Sequence, residues 1–295
     1  MKVSRRSTLS ALAGGAALAA TKNTYRIIDP HVHVWKNDPQ YPWAKETTHP
    51  PEKDATAEML LELMKSAGVE KTVLIQYIGY RWDNSYTLAV LKRYPDKFQA
   101  VARVNPESAQ APDDLSRLVE QGFRGVRLSP AANAAGDWIR GPLMPPLWER
   151  CQQLKVSMSI LTPASRLPDV APLIEGHPEL TVVIDHMADC PIDRADLLDG
   201  LLSLKRYPRV FVKVSHTWSL SHQPYPYRDT WAQVKKLHDA FGPQRLMWGT
   251  DWPLVEGHCG YAKALALVRD EMDFLNDQDK EWMLSRTIEQ VWPFA

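Results

Sequence analysis

The chain has 295 residues, of which 44% are hydrophobic and 24% are charged, so it can form a globular protein with a sizeable core. Its 35 basic residues balance 35 acidic ones without a sustained run of either sign, which argues against nucleic acid or a membrane as partner. The balanced charge favours a small neutral or anionic molecule as the partner. The three cysteines are far apart and form no CxxC motif, which argues against a disulfide framework or a zinc finger.

The first 20 residues have the features of an export signal. Basic residues that include Arg5 and Arg6 precede an apolar Ala- and Gly-rich stretch, which ends in a small-x-small sequence at residues 17–19. The adjacent arginines resemble a twin-arginine signal, although Thr8 stands where an aromatic residue is usual. We expect residues 1–20 to direct export to the periplasm. The alternative is a cytoplasmic protein with a disordered N-terminus.

Short β-branched runs alternate with amphipathic segments along the rest of the chain. Near-continuous apolar runs such as TVVID and VFVKVS are typical of parallel strands covered on both faces. Apolar residues at i, i+3 and i+4 predict helices between them. The predicted strands span residues 25–34, 71–77, 98–104, 124–128, 156–161, 180–185, 210–214 and 245–249. The predicted helices include residues 55–67, 111–121, 143–154, 194–205, 228–241 and 260–275.

This alternation predicts an α/β protein, and eight strands favour a single-domain (β/α)8 TIM barrel over residues 21–295. A doubly wound open sheet has the same alternation, but no glycine-rich phosphate loop follows the first strand. A long loop at residues 36–54 follows that strand and is rich in proline and aromatic residues. We expect it to shape a pocket at the barrel mouth.

Two histidines, His31 and His33, lie one residue apart at the end of the first predicted strand. Because side chains alternate along a strand, both imidazoles project to one side and reach a common point, as half of a zinc site does. By the same rule Asp29 faces this side, deeper in the barrel. A lone HxH motif also fits surface or structural histidines, so the other strand ends decide its meaning.

Further polar residues follow other predicted strands. His186 comes just after strand six and Asp251 just after strand eight, at the ends where barrel enzymes keep their catalytic groups. Each residue alone could be a turn former or a hydrogen-bonded structural group. Closure of the barrel places strand eight beside strand one. We therefore expect Asp251 to approach His31 and His33 across the mouth.

Five motifs together resemble the amidohydrolase superfamily, in the amidohydrolase-related branch that includes sugar-acid and dicarboxylate lactonases. They are DPHVHVW at 29–35, GVRL at 125–128, DH at 185–186, KVS at 213–215 and GTDWP at 249–253. They occur in the family's order and on the expected strands, and the resemblance covers essentially the whole chain after the leader. It implies a TIM-barrel hydrolase.

The resemblance also implies roles for individual residues. His31, His33 and Asp251 would be the metal ligands, and His186 would be a further ligand or a proton-transfer group. Arg127 corresponds to an arginine that grips a substrate carboxylate, a task that suits a guanidinium fork, although a salt bridge at the barrel rim is the alternative.

The sequence leaves two alternatives for the metal, bound or absent. Relatives usually supply one more ligand from strand four or five, but strand five reads VSMSILTP here. The site then holds a divalent ion, with zinc as the expected one, or works without metal as some lactonases of this branch do. His216 stands where relatives often have glycine, and either replaces a ligand or contacts the substrate. Gln76 is a further candidate for the pocket lining.

We therefore predict a hydrolase that opens the lactone of a small, anionic carboxylic or sugar acid. Asp251 would act as general base on water, and His186 would polarise the carbonyl or pass a proton to the leaving oxygen. A non-oxidative decarboxylase of the same superfamily is the second hypothesis. An exported binding protein without catalytic activity is the third.

Overall fold

The computed structural model describes residues 25–129 and 139–294. The predicted leader at residues 1–20 lies outside these ranges. Within them, no helix is both long and apolar enough to cross a membrane. The three cysteines are free thiols, and Cys151 and Cys190 are buried.

Every predicted strand region contains an observed strand. The strands are β1 (Ile28–Val32), β2 (Lys71–Ile75), β3 (Phe98–Val101), β4 (Gly125–Leu128), β5 (Ser157–Ile160), β6 (Val182–Ile184), β7 (Val210–Val214) and β8 (Leu246–Trp248). Apart from half-buried Gln99, all of their residues are buried. This is the burial expected of parallel strands that are covered on both faces.

Helices separate the strands and form the outer layer. They are α1 (Ala57–Ala67), α2 (Ser85–Arg93), α3 (Ala111–Glu120), α4 (Met144–Leu154), α5 (Leu167–Gly176), α6 (Ala195–Ser203), α7 (Thr217–Leu220), α8 (Trp231–Phe241), α9 (Tyr261–Ala266), α10 (Asp277–Glu281) and α11 (Thr287–Val291). Individual residues set the boundaries of α1, since Thr56 caps its first turn and Gly68 ends it with φ of 75°.

Backbone pairing joins the eight strands into a ring. Strands β1 to β3 and β4 to β8 form two parallel sheets with neighbours in chain order. The sheets meet where Ala102 pairs with Val126, and again where Val32 pairs with Trp252. At the second junction the N–H of His33 donates to the carbonyl of Trp252 at 2.7 Å. The predicted (β/α)8 barrel is thereby confirmed.

The N-terminal end of the barrel is filled by Trp292, which follows α11 and is fully buried. Its indole Nε1 donates to Oγ of Ser157, the first residue of β5, at 2.9 Å. Gly125 is required beside it, because a Cβ there would lie 2.4 Å from the same Oγ. Trp292 also lies 5.1 Å below the ammonium group of Lys213 on β7. The polar groups of the barrel therefore rest on a packed floor.

Candidate active site

His31, in β1, and His33, directly after this strand, point into the barrel mouth with ring centroids 5.1 Å apart. His31 is fully buried and His33 is 4% exposed. Nδ1 of His33 lies 2.8 Å from the carbonyl oxygen of Ile75. Since a carbonyl only accepts, that nitrogen carries the proton, and the Nε2 of a neutral His33 ring presents a lone pair to the mouth.

Asp251 approaches both histidines, as expected from barrel closure. Its Oδ1 lies 3.2 Å from Nε2 of His33 and 3.5 Å from Nε2 of His31. Within the described ranges, neither Oδ1 of Asp251 nor Nε2 of His31 has a hydrogen-bond partner. Two buried polar atoms thus face the same small volume without being satisfied by the protein.

His186 and His216 complete this group, which we call the Asp251 cluster together with His31, His33 and Asp251. The ring centroid of His186 lies 4.5 Å from that of His31 and 4.7 Å from that of His216. Nε2 of His216 is 3.7 Å from Oδ2 of Asp251. Nδ1 of His186 is 2.8 Å from Oγ of Ser215, which orients its ring.

The backbone at three strand ends is left-handed. His186, His216 and Asp251 have φ of 52°, 63° and 59°, respectively. A side chain in this conformation costs roughly 1–2 kcal/mol relative to a right-handed one. Such strain persists where the surrounding structure enforces it, and it is common at functional sites. Here the sharp turns place all three side chains in the Asp251 cluster.

A buried ionic network lies directly beside the cluster. Oδ2 of Asp185 accepts from Nε of Arg127 at 2.8 Å, and its Oδ1 lies 3.1 Å from Nζ of Lys213. The same Nζ is 3.0 Å from Nδ1 of His31. Asp185 and Lys213 are fully buried. The network therefore contacts His31 at Nδ1, whereas its Nε2 faces Asp251.

Asp185 and Lys213 have no role predicted from the sequence. A signal was present, since Lys213 interrupts the apolar run VFVKVS two residues before Ser215 and so shares the inward face of its strand. A lysine in a buried strand needs a partner, and Asp185 provides it.

The protonation states follow from burial and from these charges. Burial, reinforced by Lys213, lowers the pKa of His31 to about 3. Burial and the neighbouring His31 ring also hold the pKa of His186 well below its ordinary value. Burial alone would raise the pKa of Asp251, but the close approach of His33 and of the imidazoles of His186 and His31 lowers it. An ionised carboxylate therefore faces the neutral rings of His31 and His186.

This donor set fits a divalent metal ion. Ligand atoms of His31, His186 and Asp251 all lie within 4.8 Å of one another. Between Asp251 and a neutral His33, a lone pair faces a carboxylate oxygen across 3.2 Å, so a proton or a cation is needed between them. Imidazole nitrogens combined with carboxylate oxygen suit zinc and similar ions.

Arg127 forms a buried salt bridge to Asp185. Its Nε makes that bond and, among the described residues, its two terminal nitrogens donate to no protein acceptor. Arg127 is 4% exposed. A substrate carboxylate could still be bound by its free end.

The expectation for Gln76 requires correction. Gln76 is fully buried, its Nε2 donates to the carbonyl of Asp83 and its Oε1 accepts from the hydroxyl of Thr87, so it supports the loop after β2 and is not among the residues that line the described cavity. Asp29 is also fully buried and lies outside the Asp251 cluster. Its carboxylate instead accepts from the N–H and hydroxyl of Thr250.

An aromatic wall stands beside the histidines. The ring of Tyr77 lies 5.6 Å from that of His33 and 4.3 Å from that of Trp35. The long loop after β1 packs on this wall, since the hydroxyl of Thr47 donates to the carbonyl of Gly79 at 2.8 Å. Its residues 46–49 line a cavity of about 270 Å³ together with Tyr77. The loop thus shapes a pocket at the mouth.

Comparison with known proteins gives a consistent result. A family model described as amidohydrolase matches residues 28–294. An L-fucono-1,5-lactonase of Burkholderia ambifaria is 30% identical over 253 residues, which are 80% of this chain and 84% of that protein. A 4-sulfomuconolactone hydrolase of Rhizobium radiobacter is 27% identical over 256 residues, which are 84% of this chain and 81% of that protein.

The fold also matches solved structures. One is a probable 2-pyrone-4,6-dicarboxylic acid hydrolase of Acinetobacter baumannii, crystallised with citric acid bound. It aligns with a TM-score of 0.80 and 21% identity over 91% of this chain and 100% of that chain. At this identity the likeness concerns the barrel fold.

Proposed function

The chain belongs to the amidohydrolase family, and we propose that it hydrolyses the ring ester of a small acidic lactone. Two relatives that align over more than three quarters of the chain carry the names of lactone hydrolases, which supports this reaction class. The observation that carries the proposal is the Asp251 carboxylate, buried at the barrel mouth within 3.5 Å of two imidazoles. A charged base in such a place suits activation of water.

The reaction follows from these groups. Asp251 accepts a proton from a water molecule whose oxygen adds to the ester carbonyl carbon. The carbon–oxygen bond of the ring then breaks, and the ring oxygen takes up a proton to become a hydroxyl group. The proton that Asp251 took from water reaches this oxygen through the neighbouring imidazole of His186, which Ser215 orients. The terminal nitrogens of Arg127 orient a carboxylate of the substrate.

We propose that His31, His33 and Asp251, with His186 beside them, hold a divalent ion, and that this ion is zinc. The ion would supply Lewis acidity, which lowers the pKa of water toward about 7 and polarises a carbonyl. Neutral imidazoles are the form that such an ion requires, and burial already keeps His31 and His186 in that form.

The experiment combines metal analysis with turnover. Purified protein is assayed on a panel of carboxylated and sugar lactones, before and after chelation, with proton release and carbon dioxide measured in parallel. We expect proton release without carbon dioxide, loss of activity on chelation and recovery with zinc. Carbon dioxide release from an acid substrate would favour a decarboxylase. Ligand binding without turnover would favour a binding protein.

We also propose that the protein is exported to the periplasm through residues 1–20, on the basis of their sequence pattern. Expression of the full chain in cells with and without a working twin-arginine system tests this. Recovery in the periplasmic fraction only when the system works supports export. An entirely cytoplasmic protein in both strains contradicts it.

A further inference from the structure

Arg103 carries a buried positive charge, and the described residues provide no acceptor for two of its guanidinium nitrogens. The residue lies just beyond the end of β3 and is 2% exposed. Among the described residues, its Nε and Nη1 have no hydrogen-bond partner. Burying a guanidinium without a partner is costly, so natural proteins rarely do it without a ligand to bind.

The position of Arg103 is tightly fixed. The Oδ1 of Asn84 accepts from the backbone N–H of Arg103 at 3.0 Å, and its Nδ2 donates to the carbonyl of Arg103 at 2.9 Å. The ring of Trp82 lies 5.4 Å from the centre of the guanidinium. Both contacts leave the N–H groups of the guanidinium available. The backbone of Arg103 is therefore fixed, and the ring of Trp82 lies beside its guanidinium.

Nearby charges do not neutralise Arg103. Burial and the cations Arg127 and Arg81 lower its pKa to about 9, so it stays charged at neutral pH. Asp185, the carboxylate of the network that acts on Arg103, is already shared by Arg127 and Lys213. The cavity also holds Glu46, but its carboxylate pairs with Arg81 at 3.3 Å. Arg103 is thus the cation that an anion in the cavity would balance.

Arg103 opens onto the cavity of about 270 Å³ described above, beside Tyr77, Arg81 and Trp82. We call these four residues and their cavity the Arg103 pocket. Tyr77 lines the pocket and also neighbours the Asp251 cluster, since its ring centroid lies 5.6 Å from that of His33. A ligand in the pocket is thus a near neighbour of the proposed reacting centre.

We propose that the Arg103 pocket is a carboxylate subsite, which binds an acid group of the substrate remote from its ring ester. A planar guanidinium beside an aromatic ring suits a carboxylate on a flat or cyclic molecule. The preferred substrates are then lactones that carry this acid group, and neutral sugar lactones are poor ones. The claim that the bound molecule is the substrate rests on the proposed function, whereas the claim that the pocket binds a carboxylate does not.

The first test measures binding alone. Isophthalate, a ring with two carboxylates, is compared with uncharged isophthalamide by calorimetry and thermal shift. The variants are Arg103→Met and a control, Arg209→Met, which removes an exposed charge just before β7 at the opposite end of the barrel. We expect isophthalate alone to stabilise the wild type and the control, and to bind Arg103→Met about tenfold more weakly or worse.

The second test separates this role from a structural one. Because Arg103 lacks partners, Arg103→Met without ligand should melt no lower than the wild type. On a carboxylated lactone it should raise KM about tenfold or more with a small effect on kcat, and on the methyl ester of that lactone it should change neither. Arg103→Lys, which keeps the charge, should restore part of the binding.

Equal binding of isophthalate by the wild type and Arg103→Met would overturn the subsite. So would equal losses on the acid and its methyl ester. If no lactone is hydrolysed but Arg103-dependent isophthalate binding is present, the proposed function fails and the anion site stands. If Arg103→Met does not fold, the comparison is made with Arg103→Lys. The proposal is then overturned if Arg103→Lys binds isophthalate with the affinity of the wild type and the wild type binds isophthalamide as tightly as isophthalate.

Discussion

Nε2 of His33 lies 3.2 Å from Oδ1 of Asp251, although the two residues come from the first strand and from the loop after the last one. The contact exists because Val32 pairs with Trp252 where the barrel closes. The Nδ1–H of His33 is committed to the carbonyl of Ile75, so the facing atoms are both acceptors when the ring is neutral. Barrel closure thus brings two acceptor atoms together, and a cation or a proton is required between them.

The metal contribution of His33 can be measured directly. His33→Ala removes one proposed ligand and should weaken zinc binding by more than the roughly 10- to 100-fold that loss of an outer-shell partner costs. His222→Ala, an exposed histidine, is the matched control and should bind zinc like the wild type. Zinc competition titration gives both affinities. Unchanged affinity in His33→Ala would remove this residue from the proposed ligand set.

Lys213 should be important for stability because it is fully buried between Asp185 and His31. Breaking a buried ion pair on one side typically costs about 3–5 kcal/mol, so Lys213→Met should lower the free energy of unfolding by about that amount. Urea denaturation measures it. In the double variant with Asp185→Asn the loss should be smaller than the sum of the single losses, since no unpaired carboxylate remains. Strict additivity would contradict the network.

Ser215 should act on catalysis by positioning His186. Ser215→Ala removes the hydroxyl 2.8 Å from Nδ1 of His186, and loss of such an orienting partner typically lowers activity about 10- to 100-fold. Ser159→Ala is the control, because the Oγ of Ser159 is also buried but has no hydrogen-bond partner among the described residues. We expect the control to keep normal kcat. Equal effects of the two variants would point to packing instead.

The buried neutral state of His31 predicts a pH dependence of stability. Its pKa is about 3 in the folded protein, against 6.5 ordinarily. Between these values the unfolded chain binds a proton that the folded protein does not, so the free energy of unfolding falls as the pH falls. One such histidine contributes a slope of up to about 1.4 kcal/mol per pH unit.

Chelated protein, melted in urea between pH 5 and 7, provides the test. His31→Asn should reduce the slope by up to that amount, whereas His222→Asn, at an exposed site, should leave it unchanged. A slope in His31→Asn equal to that of the wild type would show that His31 is not held neutral in the folded state.

Much of the site follows from simple rules applied to the sequence. Strand periodicity places His31 and His33 on one face, and barrel closure brings Asp251 to them, as the structure shows. The roles of these residues stay predictions until the experiments above are done. The position of His186 also follows from its place after β6.

Other features depend on details that periodicity does not contain. Asp29 accepts hydrogen bonds from Thr250, which follows β8, and the periodicity of one strand does not specify such a contact between two strands. Gln76 lies one residue beyond β2, where a polar group can serve the loop as well as a ligand. Within the described ranges, Nε and Nη1 of Arg103 lack acceptors, a state that only three-dimensional packing determines.

The most direct measurement is the turnover of Asp251→Asn on the best lactone of the panel, with metal content and thermal melting measured on the same sample. The account predicts a drop in kcat of about 10²- to 10⁴-fold or more in a protein that remains folded, because the carboxylate that accepts the proton of water is gone. Turnover within a few-fold of the wild type in that folded variant would contradict the central claim that Asp251 activates water.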